Sequence, residues 1–160
     1  MRLTASGFGI LAALAVLAAP LSAAAPPKAA HTEILDPAAR GAAATVDAFH
    51  AALRRGDTRA AAALLVKDAL IFEAGGVERS KAEYAAHHLP ADAEFSRAVS
   101  SAVTRRIGRA DGAVAWIASE GRTTGTYKGR ALDLRTTETM ILRRAGGVWH
   151  IVHIHWSSSR

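Results

Sequence analysis

The chain changes its hydrophobic period near residue 95. Before that point apolar residues recur at three- and four-residue spacing; after it they alternate with polar ones. Val46, Phe49, His50 and Leu53 form one stripe, which predicts a helix opened by Asp36-Pro37 and running to Arg55. Arg54 and Arg55 suit its negative end, and Gly56 stops it. Asp57 caps a short helix through Ala60–Leu65, and Ala69-Leu70-Ile71-Phe72 is a buried strand ending at Gly75-Gly76. Ser80-Lys81-Ala82-Glu83 is a capping box for a third helix, expected to pass Tyr84 and stop at Pro90. Long strands are then predicted over Arg97–Ile107, Ala113–Tyr127, Arg130–Arg144 and Val148–Ser157, with glycine-bearing turns between them. Helices followed by an antiparallel meander imply an α+β fold.

The N-terminus carries a different signal. Arg2, the apolar run Phe8–Leu21 and the small residues Ser22–Ala25 read as a signal peptide, residues 1–25, cleaved near Ala24. A linker, residues 26–36, and one domain, residues 37–160, follow. The expected location is periplasmic or secreted, with no stable membrane anchor after cleavage. The chain has no cysteine, so disulfides, thiolate nucleophiles and cysteine zinc sites are excluded. Residues 95–160 hold 11 Lys/Arg against 4 Asp/Glu. No dense basic run or DNA-binding motif accompanies this charge, so the arginines are assigned to solvent-facing strand positions and no nucleic-acid partner is expected.

The last strand concentrates chemistry. Strict alternation from Val148 to Ser157 would place Trp149, Ile151, His153 and His155 on one face and Val148, His150, Val152, Ile154 and Trp156 on the other. Glu138 is predicted on an apolar strand face with Leu132, Leu134, Thr136, Met140 and Leu142. A carboxyl there must be paired or protonated, so Glu138 is a candidate general acid or base, or a Glu bonded across the sheet to an Arg or Thr. His153 is the second catalytic candidate. Tyr84, His87, His88, His155 and Trp149 are candidate ligand-binding residues. His87 and His88 near the third helix end, with His153 and His155, could also converge on a divalent metal, although no tight ligand motif is present. No other cofactor is expected. His50 reads as a core or pocket-rim histidine, and Trp116 as core or interface.

Val46–Leu53 with Arg55-Gly56-Asp57, the segment Asp68–Phe72, Gly75-Gly76, Ser80–Tyr84 and the closing Gly147–Ser157 together resemble the SnoaL-like, nuclear transport factor 2-like superfamily. They are also similar to the association domain of calmodulin-dependent kinases. The resemblance implies a cone-shaped, strongly curved sheet wrapped around three N-terminal helices, with a pocket at its open end. It further implies a homodimer packed through the sheet and a small-molecule ligand. Members range from isomerases to binding proteins, so the expectation here is a pocket domain binding a small molecule. The alternatives are an acid–base enzyme using Glu138 or His153 and a periplasmic metal-binding protein.

Overall fold

A computed structural model describes residues 31–160. The predicted signal peptide and most of the linker lie outside the described residues. The elements are β1 (Thr32–Leu35), α1 (Arg40–Arg55), α2 (Thr58–Ala63), β2 (Leu65–Glu73), β3 (Gly76–Glu78), α3 (Lys81–Ala86), α4 (Leu89–Ala98), β4 (Val99–Asp111), β5 (Val114–Tyr127), β6 (Arg130–Ala145) and β7 (Val148–Ser159). They build one seven-stranded sheet in the order β1-β4-β5-β6-β7-β2-β3. The helices cover its inner face, so the architecture is α+β.

The predicted caps are in place. Asp36 Oδ1 accepts from Ala38 N at 3.0 Å and opens a 3-10 turn that leads into α1. Asp57 Oδ1 accepts from Ala60 N at 2.9 Å, and Ser80 Oγ from Glu83 N at 3.1 Å. Gly56 ends α1 in the left-handed conformation at φ 73°, with its N–H reaching Ala52 O and Leu53 O. There L side chains are strained and glycine is not.

Three elements depart from the expectation: α4, β1 and the short β3, which folds back on β2. Pro90 does not end the helical region; it sits in the first turn of a fourth helix, α4, where its missing N–H costs nothing. Thr32–Leu35, within the expected linker, pairs in parallel with β4 and closes one sheet edge. So four α-helices, not three, pack on the sheet.

The core joins the α1 stripe of Val46, Phe49, Ala52 and Leu53 to Ile117, Met140, Leu142, Ile151 and Ile154 from the sheet, all buried. Within the antiparallel strands β4 to β7 strict alternation fails twice, and the β2–β7 pairing shifts register once more between Leu65 and Leu70. Val103 pairs with Gly121 but Arg105 with Glu120, leaving Thr104 as an extra residue on β4. Ile141 pairs with His153 but Leu142 with Ile151, leaving Val152 extra on β7. Each extra residue is a β-bulge, which reverses the side-chain parity beyond it and bends the strand. On β7, Trp149 and Ile151 point inward before the bulge, and Ile154 and Trp156 after it. His153 and His155 therefore lie on the outer face, opposite Trp149 and Ile151, not beside them as alternation predicts. Trp116 is also on the outer face and is 38% exposed.

Among the described residues, no helix is long and apolar enough to cross a membrane.

Candidate functional site

A cavity of about 700 Å³ opens between the helices and the concave face of the sheet. Part of its polar lining follows one line across the strands, which Glu33 extends beyond the cavity. The register pairs Glu33 with Arg106, Arg106 with Ser119, Ser119 with Glu138, Glu138 with Trp156, and Trp156 with Glu73. Neighbouring strands are about 4.8 Å apart, so this is a row of polar groups spanning six strands. The adjacent row on the same face is Gly108, Ile117, Met140, Ile154 and Ile71, which belongs to the apolar core apart from the glycine. The cavity thus has a polar row laid directly against an apolar floor.

Glu138 is the centre of the row, and its side chain is 10% exposed. His50 Nε2, from α1, donates to its Oε2 at 2.7 Å, and Trp156 Nε1 donates to the same oxygen at 2.6 Å. Both bonds fall on Oε2, which leaves Oε1 as the oxygen available to a ligand. Burial alone pushes the Glu138 carboxyl up; the His50 charge, the two hydrogen bonds and the Arg106 charge outweigh it and hold the group below the usual carboxylate range. Trp156 is itself fixed by stacking on Phe49, with ring centroids 6.2 Å apart. Arg106 is buried; its Nη1 donates to Asp47 Oδ1 at 2.8 Å and its Nε to Ser119 Oγ at 3.3 Å.

The other end of the row behaves oppositely. Burial, and then the neighbouring Asp92 charge, push the Glu73 carboxyl up to about 7, with His88 opposing. Asp92, on α4, also lines the cavity. It is raised by burial, and it accepts a hydrogen bond at 2.6 Å from the hydroxyl of fully buried Tyr84. Burial and that carboxylate in turn push the Tyr84 phenol up. One cavity therefore holds a carboxyl kept anionic and a carboxyl that exchanges protons near neutrality, on either side of Trp156.

The predicted site residues separate into three places. Glu138 lines the cavity, His155 borders its rim from an outer-face position beside Trp156, and Tyr84 reaches it through Asp92. His153 is not among the lining residues: its Nδ1 lies 2.9 Å from Leu70 O, on the outer face, against the Phe72 ring. Trp149 is buried in the core, beside Gly41 of α1 and beneath the Arg144 guanidinium. His87 and His88 gather on Glu78. The four histidines do not converge on one point. Among the described residues, the group of three or more ligand-type side chains close enough to share an ion is Glu78, Glu83 and His87.

Asp47, Glu73, Asp92 and Arg106 escaped assignment in the sequence as site residues, while His50, read there as a core or pocket-rim histidine, lines the cavity. His50 and Asp47 carried a usable signal, since one lies in the α1 stripe and the other beside it. Arg106 did not, because the Thr104 bulge turns it inward.

A helix-capped, curled sheet with a polar row in its cavity defines a class of pocketed α+β domains. The chain belongs to the SnoaL-like domain family, matching it over residues 42–159. It is similar to the solved structure of a candidate ketosteroid isomerase from Shewanella frigidimarina NCIMB 400, at 35% identity over 77% of this chain and 99% of that one, with a TM-score of 0.73. It is also similar to a candidate calcium/calmodulin-dependent protein kinase II association domain from Xanthomonas campestris, at 26% identity over 82% and 94% of the two chains, with a TM-score of 0.64. An NTF2-like protein of unknown function from Pseudomonas putida KT2440 shares the fold, at 22% identity over 75% and 85% of the two chains and a TM-score of 0.62. No curated protein matches the chain.

Proposed function

We propose that the cavity binds a small organic molecule and that its polar row performs acid–base chemistry on it, of the isomerase type. The observation that carries this reading is the pair Glu73 and Glu138, flanking Trp156 in one row of one cavity. Two carboxyls whose surroundings push their protonation apart take different roles. Glu73, raised to about 7, is matched to give and take a proton near neutral pH. Glu138, held anionic, orients His50 and Trp156. Arg106 and His50 supply positive or donor groups for a carbonyl or anionic group at the far end of the row. The ligand is then a molecule with an apolar body and at least one carbonyl-type oxygen.

A carbonyl compound with a β,γ double bond fits this chemistry. The Glu73 carboxylate takes a proton from the carbon between the carbonyl and the double bond. The electron pair of that C–H bond moves into a dienolate. Glu73 then returns the proton at the γ carbon, giving the conjugated isomer with no net gain or loss of atoms or electrons. The name of the Shewanella protein supports trying ketosteroids as the first members of this class.

The test follows the absorbance of the conjugated ketone formed from a β,γ-unsaturated 3-ketosteroid. Wild-type protein is expected to convert it, and Glu73→Gln to lose about 10²-fold or more in kcat while still binding. Equal rates for the two proteins would overturn Glu73 as the base. Binding of such ketones with no conversion by wild type would overturn catalysis and leave a binding protein.

We further propose that the chain pairs with a second copy through the outer sheet face and works after export. Trp116, Ile141 and Leu70 lie in one outer row. Val114 and Val148 are exposed nearby. The signal-peptide reading of residues 1–25 supports export.

A further inference from the structure

Glu78 ends β3 behind the cavity, and its carboxylate is 6% exposed. A buried carboxylate is costly unless cations or donors surround it. Two histidines do so. His88 Nδ1 lies 2.5 Å from Oε1. His87 Nδ1 lies 3.4 Å from Oε2. The second distance is long for a hydrogen bond, whose usual range ends near 3.2 Å. It matches another geometry: with metal–ligand bonds of about 2.1 Å, two ligands of a tetrahedral ion stand roughly 3.4 Å apart. Glu83 completes a group whose ligand atoms, with those of Glu78 and His87, lie within 4.8 Å of one another.

We propose that Glu78, Glu83 and His87 form a binding site for a divalent transition cation of zinc type, with His88 as the residue that positions the Glu78 carboxylate. The site adjoins the acid–base row at Glu73, on which the His88 charge acts, but shares none of its ligands with it. One imidazole and two carboxylates suit zinc and leave a fourth position for water. His88, on the other oxygen of Glu78, holds that carboxylate in orientation, as partners of metal-binding groups commonly do. The ligands come from one short stretch, β3 to the end of α3. Glu83 Oε2 also accepts from Arg79 N at 2.7 Å, and the Ser80 cap fixes the start of α3, so the backbone carrying them is anchored. His87 is 61% exposed and free to adjust its ring to an ion.

The experiment is calorimetric titration of Zn²⁺ into untagged, EDTA-treated protein comprising residues 26–160. The expected result is one Zn²⁺ per chain at micromolar affinity, and no comparable heat with Mg²⁺. His87→Ala is expected to weaken Zn²⁺ binding at least tenfold, and Glu78→Gln likewise. Because Glu78 is buried, His87→Ala provides the variant whose fold is not at risk. A His153→Ala/His155→Ala double variant is expected to bind as the parent does. The site is overturned if Zn²⁺ does not bind, if His87→Ala binds unchanged, if Mg²⁺ binds equally well, or if the loss occurs in the His153/His155 variant instead.

Discussion

Glu73 and Glu138 are both glutamates on inner strand positions, yet their surroundings drive them apart. Glu138 meets two N–H donors and feels the Arg106 charge; Glu73 is desolvated by burial and feels the Asp92 charge. The Glu73 carboxyl sits at about 7 in the fold and near the model-compound value of 4.5 when unfolded. A raised carboxyl contributes stability that is fully present below about 4.5 and is lost as pH rises through about 7. The expected outcome is a melting temperature that falls between pH 5 and pH 8 by several degrees more in wild type than in Glu73→Gln, measured by differential scanning fluorimetry. Identical pH profiles would refute the raised Glu73 carboxyl. Residue type and pattern made Glu138 visible in advance, because a carboxylate among Leu132, Leu134, Met140 and Leu142 stands out. Glu73 was not visible: its elevation comes first from burial and then from Asp92 on α4, a helix absent from a sequence pattern that ends the helical region at Pro90.

Among the elements, the β-bulges decide which side chains enter the cavity. Thr104 turns Arg106 into the cavity, and Val152 does the same for Trp156. The strands, caps and turns were legible because period-two alternation and glycine turns are local properties. Bulges are not, since a single extra residue leaves the composition of a strand unchanged while reversing everything after it. Hence the sequence pattern placed His153 and His155 with Trp149, and the fold sets them on opposite faces. Deleting Val152 removes the extra residue and leaves Ile154 and Trp156 facing inward by simple alternation. The predicted consequence is a variant that still unfolds cooperatively in urea, monitored by circular dichroism. Loss of the cooperative transition would show that the bend at the bulge, and not parity alone, holds β7 in place.

For the whole molecule, the sheet has a chemically divided surface. Its concave side holds the core and the cavity. Its outer side carries Trp116 between Arg109 and Ile141, with the Arg122–Asp133 ion pair further along. An exposed indole within a sheet face marks a surface suited to a partner. If the outer face joins two copies, light scattering will give twice the chain mass for wild type. Trp116→Glu should then shift the protein to monomer without abolishing the fold, and an unchanged mass would place any dimer contact elsewhere. The family resemblance supplied this expectation, while burial within a single chain could not have done so.

The polar row has a temporal consequence. Its members come one from each of six strands, from Glu33 to Trp156. No shorter stretch of the polypeptide contains the row, and its centre is completed only when β7 docks between β6 and β2. A nascent chain still emerging therefore has no complete cavity. On the proposed reading, ligand capture would be a sign that synthesis and folding are finished.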